Sequence, residues 1–594
     1  MYSSLSEKYQ NLIKKYNIDK IIINEKKSYN GTVILRSFMQ SHKQVAIYGY
    51  GALTKRLMSD FVFELKNVKY IIDDDISDED SGYTIISESE INNYEIDGII
   101  LCSEDNINEI IDRIKRNNAS MHFLSLSSIY GSSSLNINPN LNYEWINRIQ
   151  NKIDSSPNIN LQDMANLMIR YIVIKDFRLA LDIAKRIYKI VKDDMFNSII
   201  IDLNDLYKSM INVTKKKSNN VLLLCIDGLK RIDMPSLYMP KLSTIIYKKS
   251  YRYTNAYSVS TSTFESLIPT YSENDDLRTK YYESNVIPFG KCKFINEANK
   301  QGRNIYFYTD IWKYIDDVNI KFTEKPSTAA EKIWDFLVDY EKEEYGLFYV
   351  HINAETHYSF PNPYTKELLF LNGTNIIIDE YRNMVNGEGH MRTDYSVQKR
   401  DSLHYIDDLV SPFMENLSCR TLIFADHGNL EDFVYSPNTK IEDIPKLDWS
   451  CAETRIRIPL VIISPEMGIG ESDDLISLME LNNILISLMN NKKFDYNKKT
   501  FIKVLRSAIY NPELKFLCKI TNAEHELHAF ECFIFVSNYK LVIYSDGSVS
   551  LYYSKNDREV ANLPLKKMLF SCVINDITVC EPELCLKYLN NVEK

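Results

Sequence analysis

Apolar and polar positions fall into three regimes along the chain. Between residues 45 and 125, short apolar runs at 45–48, 68–72 and 98–102 alternate with amphipathic stretches. Ile107, Ile110, Ile111 and Ile114 recur there at helical spacing. Strands alternating with helices predict a parallel sheet. From about 142 to 214 the period is helical throughout, with Ala165, Met168, Ile169 and Ile172, then Ala180, Ile183, Ala184, Ile187 and Ile190, on one face. From 219 onward buried-strand runs return at 221–226, 347–352 and 421–425, each followed by polar residues. A Ser/Asn/Gly/Pro-rich stretch at 128–140 and a polar hinge at 215–220 separate the regimes. The expected organisation is an α/β domain with a helical lead-in over 1–140, a helical spacer over 141–217, and a larger α/β domain over 218–594. A small sheet is expected to complete the last from about residue 500.

Composition narrows the function classes. The 594 residues include 70 Lys plus Arg against 80 Asp plus Glu, a formal charge of −10. That argues against a broad nucleic-acid footprint, which needs net basic surface. No run reaches the roughly 18 apolar residues of a membrane span, and the first residues lack the basic-then-apolar pattern of a secretory signal. The ten cysteines are scattered without a CxxC pair, as expected of reduced structural thiols. The expected location is cytoplasmic, and any membrane association is expected to be peripheral.

Four segments carry candidate chemistry. The run 221–226 ends on Asp227-Gly228; in an open α/β sheet the carboxyl ends of the strands line the ligand crevice, although such an acid also caps helices. Ser258-Val-Ser-Thr-Ser-Thr-Phe-Glu-Ser packs hydroxyls just before an apolar run. There a helix N-terminus can cap itself or activate one hydroxyl as a nucleophile. The strand at 347–352 leads into a proline-punctuated loop with His357, where a histidine can reach a ligand, whereas His351 reads as a core residue. Finally, Asp426-His427-Gly428 closes another strand, and its oxygen and nitrogen ligands suit zinc or manganese better than calcium. In the first domain Gly49 and Gly51 match two positions of a dinucleotide fingerprint, with Thr54 at the third. Both a nucleotide phosphate at the helix N-terminus and a turn without a ligand stay open.

In this order the segments resemble the alkaline phosphatase/sulfatase superfamily, and within it the phosphoethanolamine and phosphoglycerol transferases. The resemblance covers about residues 219–560. Asp227 stands where the family's first metal-binding acid falls, and Ala-Asp426-His427-Gly matches its Ser-Asp-His-Gly. Thr261 matches the nucleophilic threonine of the lipid A phosphoethanolamine transferases. With Glu265 and Ser266 at i+4 and i+5 it is preferred to Thr263, and Ser260 ranks last. Glu355-Thr-His357-Tyr-Ser-Phe-Pro is similar to a sulfatase-like segment whose histidine touches the transferred group, and Glu453-Thr-Arg-Ile-Arg457-Ile-Pro459-Leu to the family's Glu-Thr-Ile-Arg-Val-Pro-Leu. No Cys-x-Pro-Ser-Arg occurs, so the formylglycine precursor of sulfatases is missing. No histidine lies between His427 and His525 to hold a second zinc. About 100 residues of the first domain, with Ile71-Ile-Asp-Asp-Asp and Gly82-Tyr-Thr-Ile-Ile, resemble the sugar-modifying Rossmann-like domains of surface-glycan enzymes.

The resemblance implies an α/β/α sandwich preceded by the Rossmann-like domain and spacer. It implies one divalent cation, zinc or manganese, among Asp227, Thr261, Asp426 and His427, with Thr261 as nucleophile and His357 hydrogen-bonding the phosphoryl oxygens or protonating the leaving group. The implied activity is transfer of phosphoethanolamine, phosphoglycerol or methyl phosphoramidate from an activated donor to a sugar hydroxyl of a surface polysaccharide, through a phospho-threonine. A phosphatase, phosphodiesterase or sulfatase using water at the same site is the alternative.

Overall fold

A computed structural model describes residues 4–18, 31, 34–61, 64–65, 67–74, 83–102, 107–126, 129, 139–155, 160–216, 219–234, 237–274, 286–309, 314–323, 327–356, 362–365, 396–428, 447, 450–506 and 529–591. The chain divides into two compact units, one built on residues 10–141 and the other on residues 1–9, 142–369 and 376–594.

The first unit is a parallel sheet of β1 (Val45–Tyr48), β2 (Tyr70–Ile72), β3 (Thr84–Ile86), β4 (Gly98–Leu101) and β5 (His122–Ser125), in the order β3-β2-β1-β4-β5. Val45 and Ile47 pack with Leu57 and Phe61 into one core cluster. Ala46, Ile99 and Leu101 pack with Ile110 and Ile114 into another. The period-2 alternation of the strands therefore feeds two separate apolar layers.

The second unit is organised by an eight-stranded sheet. Its strands are β6 (Val221–Ile226), β7 (Tyr251–Tyr257), β8 (Asn304–Tyr308), β9 (Ile320–Phe322), β10 (Gly346–Ile352), β11 (Arg420–Phe424), β12 (Leu460–Ile463) and β13 (Gly470–Ser477). The order is β13-β7-β12-β11-β6-β10-β8-β9, and the run from β11 to β9 is parallel. β12 joins it antiparallel to β11. Every residue of β6 and β10 is buried. Helix Ala329–Lys342 packs on β10, and helix Leu481–Met489 packs on β6 and β11. Strands β14 (Phe501–Arg506), β15 (Phe530–Phe535), β16 (Tyr539–Tyr544) and β17 (Val549–Tyr553) form the expected small C-terminal sheet, antiparallel throughout.

The stretch expected as a helical spacer over 141–217 is helical. Leu161–Val173, Phe177–Val191 and Asp194–Thr214, N-capped by Asn160, Asp176 and Asp193, lie in the same compact unit as the large sheet. Helix Asp194–Thr214 packs on helices Ala329–Lys342 and Ser396–Met414, and Asp176 accepts a 3.0 Å hydrogen bond from the Tyr405 hydroxyl. The apolar faces on 161–191 predict helices, but periodicity carries no information about what covers a face. Among the described residues, no helix is long and apolar enough to cross a membrane.

Candidate metal centre

β6 and β11 are neighbours, and each hands its chain to an acid at its carboxyl end. The Asp227 N–H donates to the Ile352 carbonyl, which ties the end of β6 to that of β10. Gly228 follows with φ +63°, in the left-handed region that glycine enters without steric cost. Its N–H donates to Asp426 Oδ1 at 3.2 Å. The same oxygen accepts from the His427 N–H at 3.0 Å. Asp426 Oδ2 is buried and has no hydrogen-bond partner among the described residues.

Gly428 serves a different need. Its N–H donates to the Arg455 carbonyl at 2.7 Å, and a Cβ there would lie 2.0 Å from the Thr454 carbonyl oxygen. Only glycine lets the two backbones approach so closely. The turn brings the Gly428 carbonyl within 2.6 Å of His427 Nδ1. A carbonyl only accepts, so Nδ1 carries the proton and Nε2 of the neutral ring presents its lone pair. That nitrogen lies 3.4 Å from Asp426 Oδ2 and 3.9 Å from Asp227 Oδ1.

Two buried carboxylates brought together beside an imidazole nitrogen call for positive charge among them, and a bound divalent cation supplies it. Burial first, and then the neighbouring Asp227 charge, push the Asp426 carboxyl above its ordinary range. One ligand atom from each of Asp227, Asp426 and His427 lies within 4.8 Å of the other two. Two carboxylate oxygens and one imidazole nitrogen fit a zinc- or manganese-like divalent ion.

The hydroxyl that joins this group belongs to Thr263. Its Oγ1 lies 3.3 Å from Asp227 Oδ2 and 3.2 Å from His427 Nε2. Thr263 is the first residue of helix Thr263–Ser272, after Ser262 in extended conformation, so it stands at the positive end of the helix dipole. Ser266, one turn on, donates to the Asp426 carbonyl at 2.6 Å and holds this helix to the end of β11.

Thr261, expected as nucleophile and ligand, is placed otherwise. Its hydroxyl is buried without a hydrogen-bond partner among the described residues, and its carbonyl accepts from Arg455 Nη2 at 3.1 Å. The flanking serines are also engaged: Ser260 and Ser262 both donate to the buried Glu265 carboxylate at 3.3 Å. The hydroxyl-dense stretch is mostly self-bonded loop, and only its last member before the apolar run reaches the carboxylates. His357 lies outside the described residues.

The family model described as C2185-like, N-terminal, matches residues 41–122. No curated protein matches the chain. Among solved structures, the chain is similar to a 2-O GAG sulfatase at 12% identity, covering 61% of this chain and 92% of that one with a TM-score of 0.42. It is similar to a phosphonate monoester hydrolase of Agrobacterium radiobacter at 10%, 60% and 93%, with a TM-score of 0.40. A third is a protein in the alkaline phosphatase superfamily from Vibrio parahaemolyticus, at 10%, 64% and 89%, with a TM-score of 0.38.

Sequence reasoning passes over one neighbour of this centre. His351, read as a core residue, is fully buried in β10, yet its Nε2 lies 3.6 Å from Asp227 Oδ2 while its Nδ1 meets Thr309 Oγ1 at 3.2 Å. The signal was its position, one residue before the carboxyl end of a strand adjacent to β6.

Proposed function

We propose that the chain is a metal-dependent phosphotransferase that carries the transferred group on Thr263. The supporting observation is the Thr263 hydroxyl, at a helix N-terminus and within 3.3 Å of both Asp227 and His427. Asp227, Asp426 and His427 would hold the divalent ion. When bound, the ion supplies positive charge that favours an alkoxide and an incoming phosphoryl group.

The residues then act as follows. Asp227 Oδ2 accepts the Thr263 proton as the oxygen attacks phosphorus, and the bond from phosphorus to the donor's leaving oxygen breaks. The amides of the first helical turn face the developing charge on the phosphoryl oxygens. His357 is assigned, from its place in the sequence, to protonate the leaving oxygen. A sugar hydroxyl then attacks phosphorus as its proton passes to His357, the phosphorus–Thr263 bond breaks, Thr263 takes its proton back from Asp227, and the substituted phosphoryl group is left esterified to the sugar. The transferred group is read as phosphoethanolamine, phosphoglycerol or methyl phosphoramidate, moved from a soluble activated donor to a surface polysaccharide. Threonine suits this chemistry better than sulfatase chemistry, because oxidising a secondary alcohol yields a ketone rather than the hydrated aldehyde sulfatases use.

The test is intact-mass and phosphopeptide analysis after incubation with candidate donors. The expected result is a substituted phosphoryl adduct on Thr263, lost in Thr263→Ala and kept in Thr261→Ala. An adduct on Thr261 overturns the assignment. Product released at one rate with and without sugar acceptor makes the enzyme a hydrolase.

A further inference from the structure

Beyond the metal centre, a cavity of about 730 Å³ opens between β7, β12 and helix Pro240–Lys249. That volume is within the usual range for small-molecule sites. We propose that it binds an anionic amphiphile, with the charged head on Arg231 and the alkyl chain against β12.

The head group follows from unequal treatment of neighbouring arginines. Arg252 lies over the Tyr247 ring at 4.1 Å and pairs with Glu471 at 3.1 Å. Arg457 donates to Glu453 at 3.2 Å and to the Thr254 carbonyl at 2.8 Å. Arg231 lines the cavity half-buried, and its guanidinium makes no hydrogen bond or ion pair among the described residues. Burial, and then the adjacent Arg457 charge, depress its pKa. Glu471, which also lines the cavity, and Glu453 attract Arg231 only through space. A guanidinium beside a second one, with no side-chain hydrogen bond among the described residues, can meet a carboxylate or phosphate.

The apolar body follows from what the lining withholds. Met234, Ile246, Pro459, Leu460 and Val461 supply carbon surface. The hydroxyls of Ser243, Thr244 and Thr254 all face inward on the protein, donating to the carbonyls of Met234, Pro240 and Ser472. These hydroxyls are spent on backbone carbonyls, which leaves that part of the wall apolar, and an alkyl chain needs no donor there. In the same loop and helix, Ile232, Leu237 and Tyr247 are 71%, 71% and 67% exposed. Of these three, Tyr247 lines the cavity, where an alkyl chain can cover its ring. The reading is independent of the proposed transfer reaction, since no metal-centre ligand lines the cavity.

The test is calorimetric titration of the full chain, below the micelle threshold, with dodecyl phosphate and with dodecanoate. Inorganic phosphate and dodecyl maltoside serve as controls. The expected result is one site for a dodecyl anion, weakened about tenfold or more by Arg231→Gln and blocked by Thr244→Trp on the exposed rim. Both variants should keep the wild-type circular dichroism spectrum. The two anions separate the head groups, and tighter binding of either supports the site. Failure of both anions to bind overturns the proposal, as does binding indifferent to both substitutions. Inorganic phosphate binding as tightly as dodecyl phosphate leaves an anion site without the alkyl part. Dodecyl maltoside binding as tightly removes the role of Arg231.

Discussion

Both units place a glycine turn at the carboxyl end of a central parallel strand, Gly49 after β1 and Gly228 after β6, but they treat the surrounding polar atoms differently. In the first unit the atoms answer one another. Asp73 Oδ2 accepts from the Tyr50 N–H at 2.8 Å, and the Thr54 hydroxyl donates to the Gly49 carbonyl. Tyr48 donates to Glu88 at 2.8 Å while Arg113 donates to Tyr48. In the second unit Asp426 Oδ2 and His351 Nε2 are buried without hydrogen-bond partners among the described residues. Buried polar atoms left unanswered cost free energy unless something else satisfies them. Among the described residues, the same turn geometry thus stands beside mutually bonded polar atoms in one unit and beside unanswered ones in the other.

The largest effect should come from removing a carboxylate or the imidazole of the unanswered set. Asp426→Asn and His427→Ala are each expected to abolish divalent-ion retention by elemental analysis and to lower transfer about 10³-fold or more. Asp73→Asn in the other unit should leave both unchanged. If Asp73→Asn strips the ion instead, the contrast between the units is wrong.

Glycine substitutions sharpen the contrast at the level of stability. Gly428→Ala drives a methyl group into the Thr454 carbonyl and should destabilise by about 1–3 kcal/mol in urea titration. Gly51 has φ −100° and nothing within 4 Å of an added Cβ. Gly51→Ala should therefore lie within about 0.5 kcal/mol of wild type or stabilise slightly.

The smallest effects concern pH, and their signs oppose. Glu355 in the second unit is fully buried, and that burial raises its carboxyl pKa. Its contribution is complete below the ordinary value of about 4.3 and is lost as pH rises through the raised value. Glu88 in the first unit is held below the ordinary range by its Arg113 hydrogen bonds. Its contribution is present above about 4.3 and fades as pH falls. Denaturation at a series of pH values should show Glu355→Gln losing less stability than wild type on going from acid to neutral. The gap between wild type and Glu88→Gln should close on acidification.

Much of this was legible beforehand, for a physical reason. A fully buried parallel strand must be apolar along its whole length, so the residue where β6 or β11 turns polar marks the crevice, and Asp227, Asp426 and His427 are found that way. Which threonine approaches the carboxylates was not legible, because Thr261 and Thr263 are chemically alike. Thr263 is the first residue of the helix, while Ser260 and Ser262 before it are bonded to Glu265. His351 is buried as read, but burial alone does not distinguish a satisfied imidazole from one aimed at Asp227. The packing of the 161–214 helices was hidden because their partners lie more than a hundred residues further along the chain.

The hydrogen bond from Ser266 to the Asp426 carbonyl has a mechanical meaning. It fastens the helix that begins at Thr263 to the backbone of Asp426, just past the end of β11 and one turn from the Thr263 hydroxyl. On the proposed reading, this bond ties the placement of the Thr263 oxygen to that of a ligand before any donor arrives. Ser266→Ala should accordingly leave the ion in place while blurring the reach of the hydroxyl.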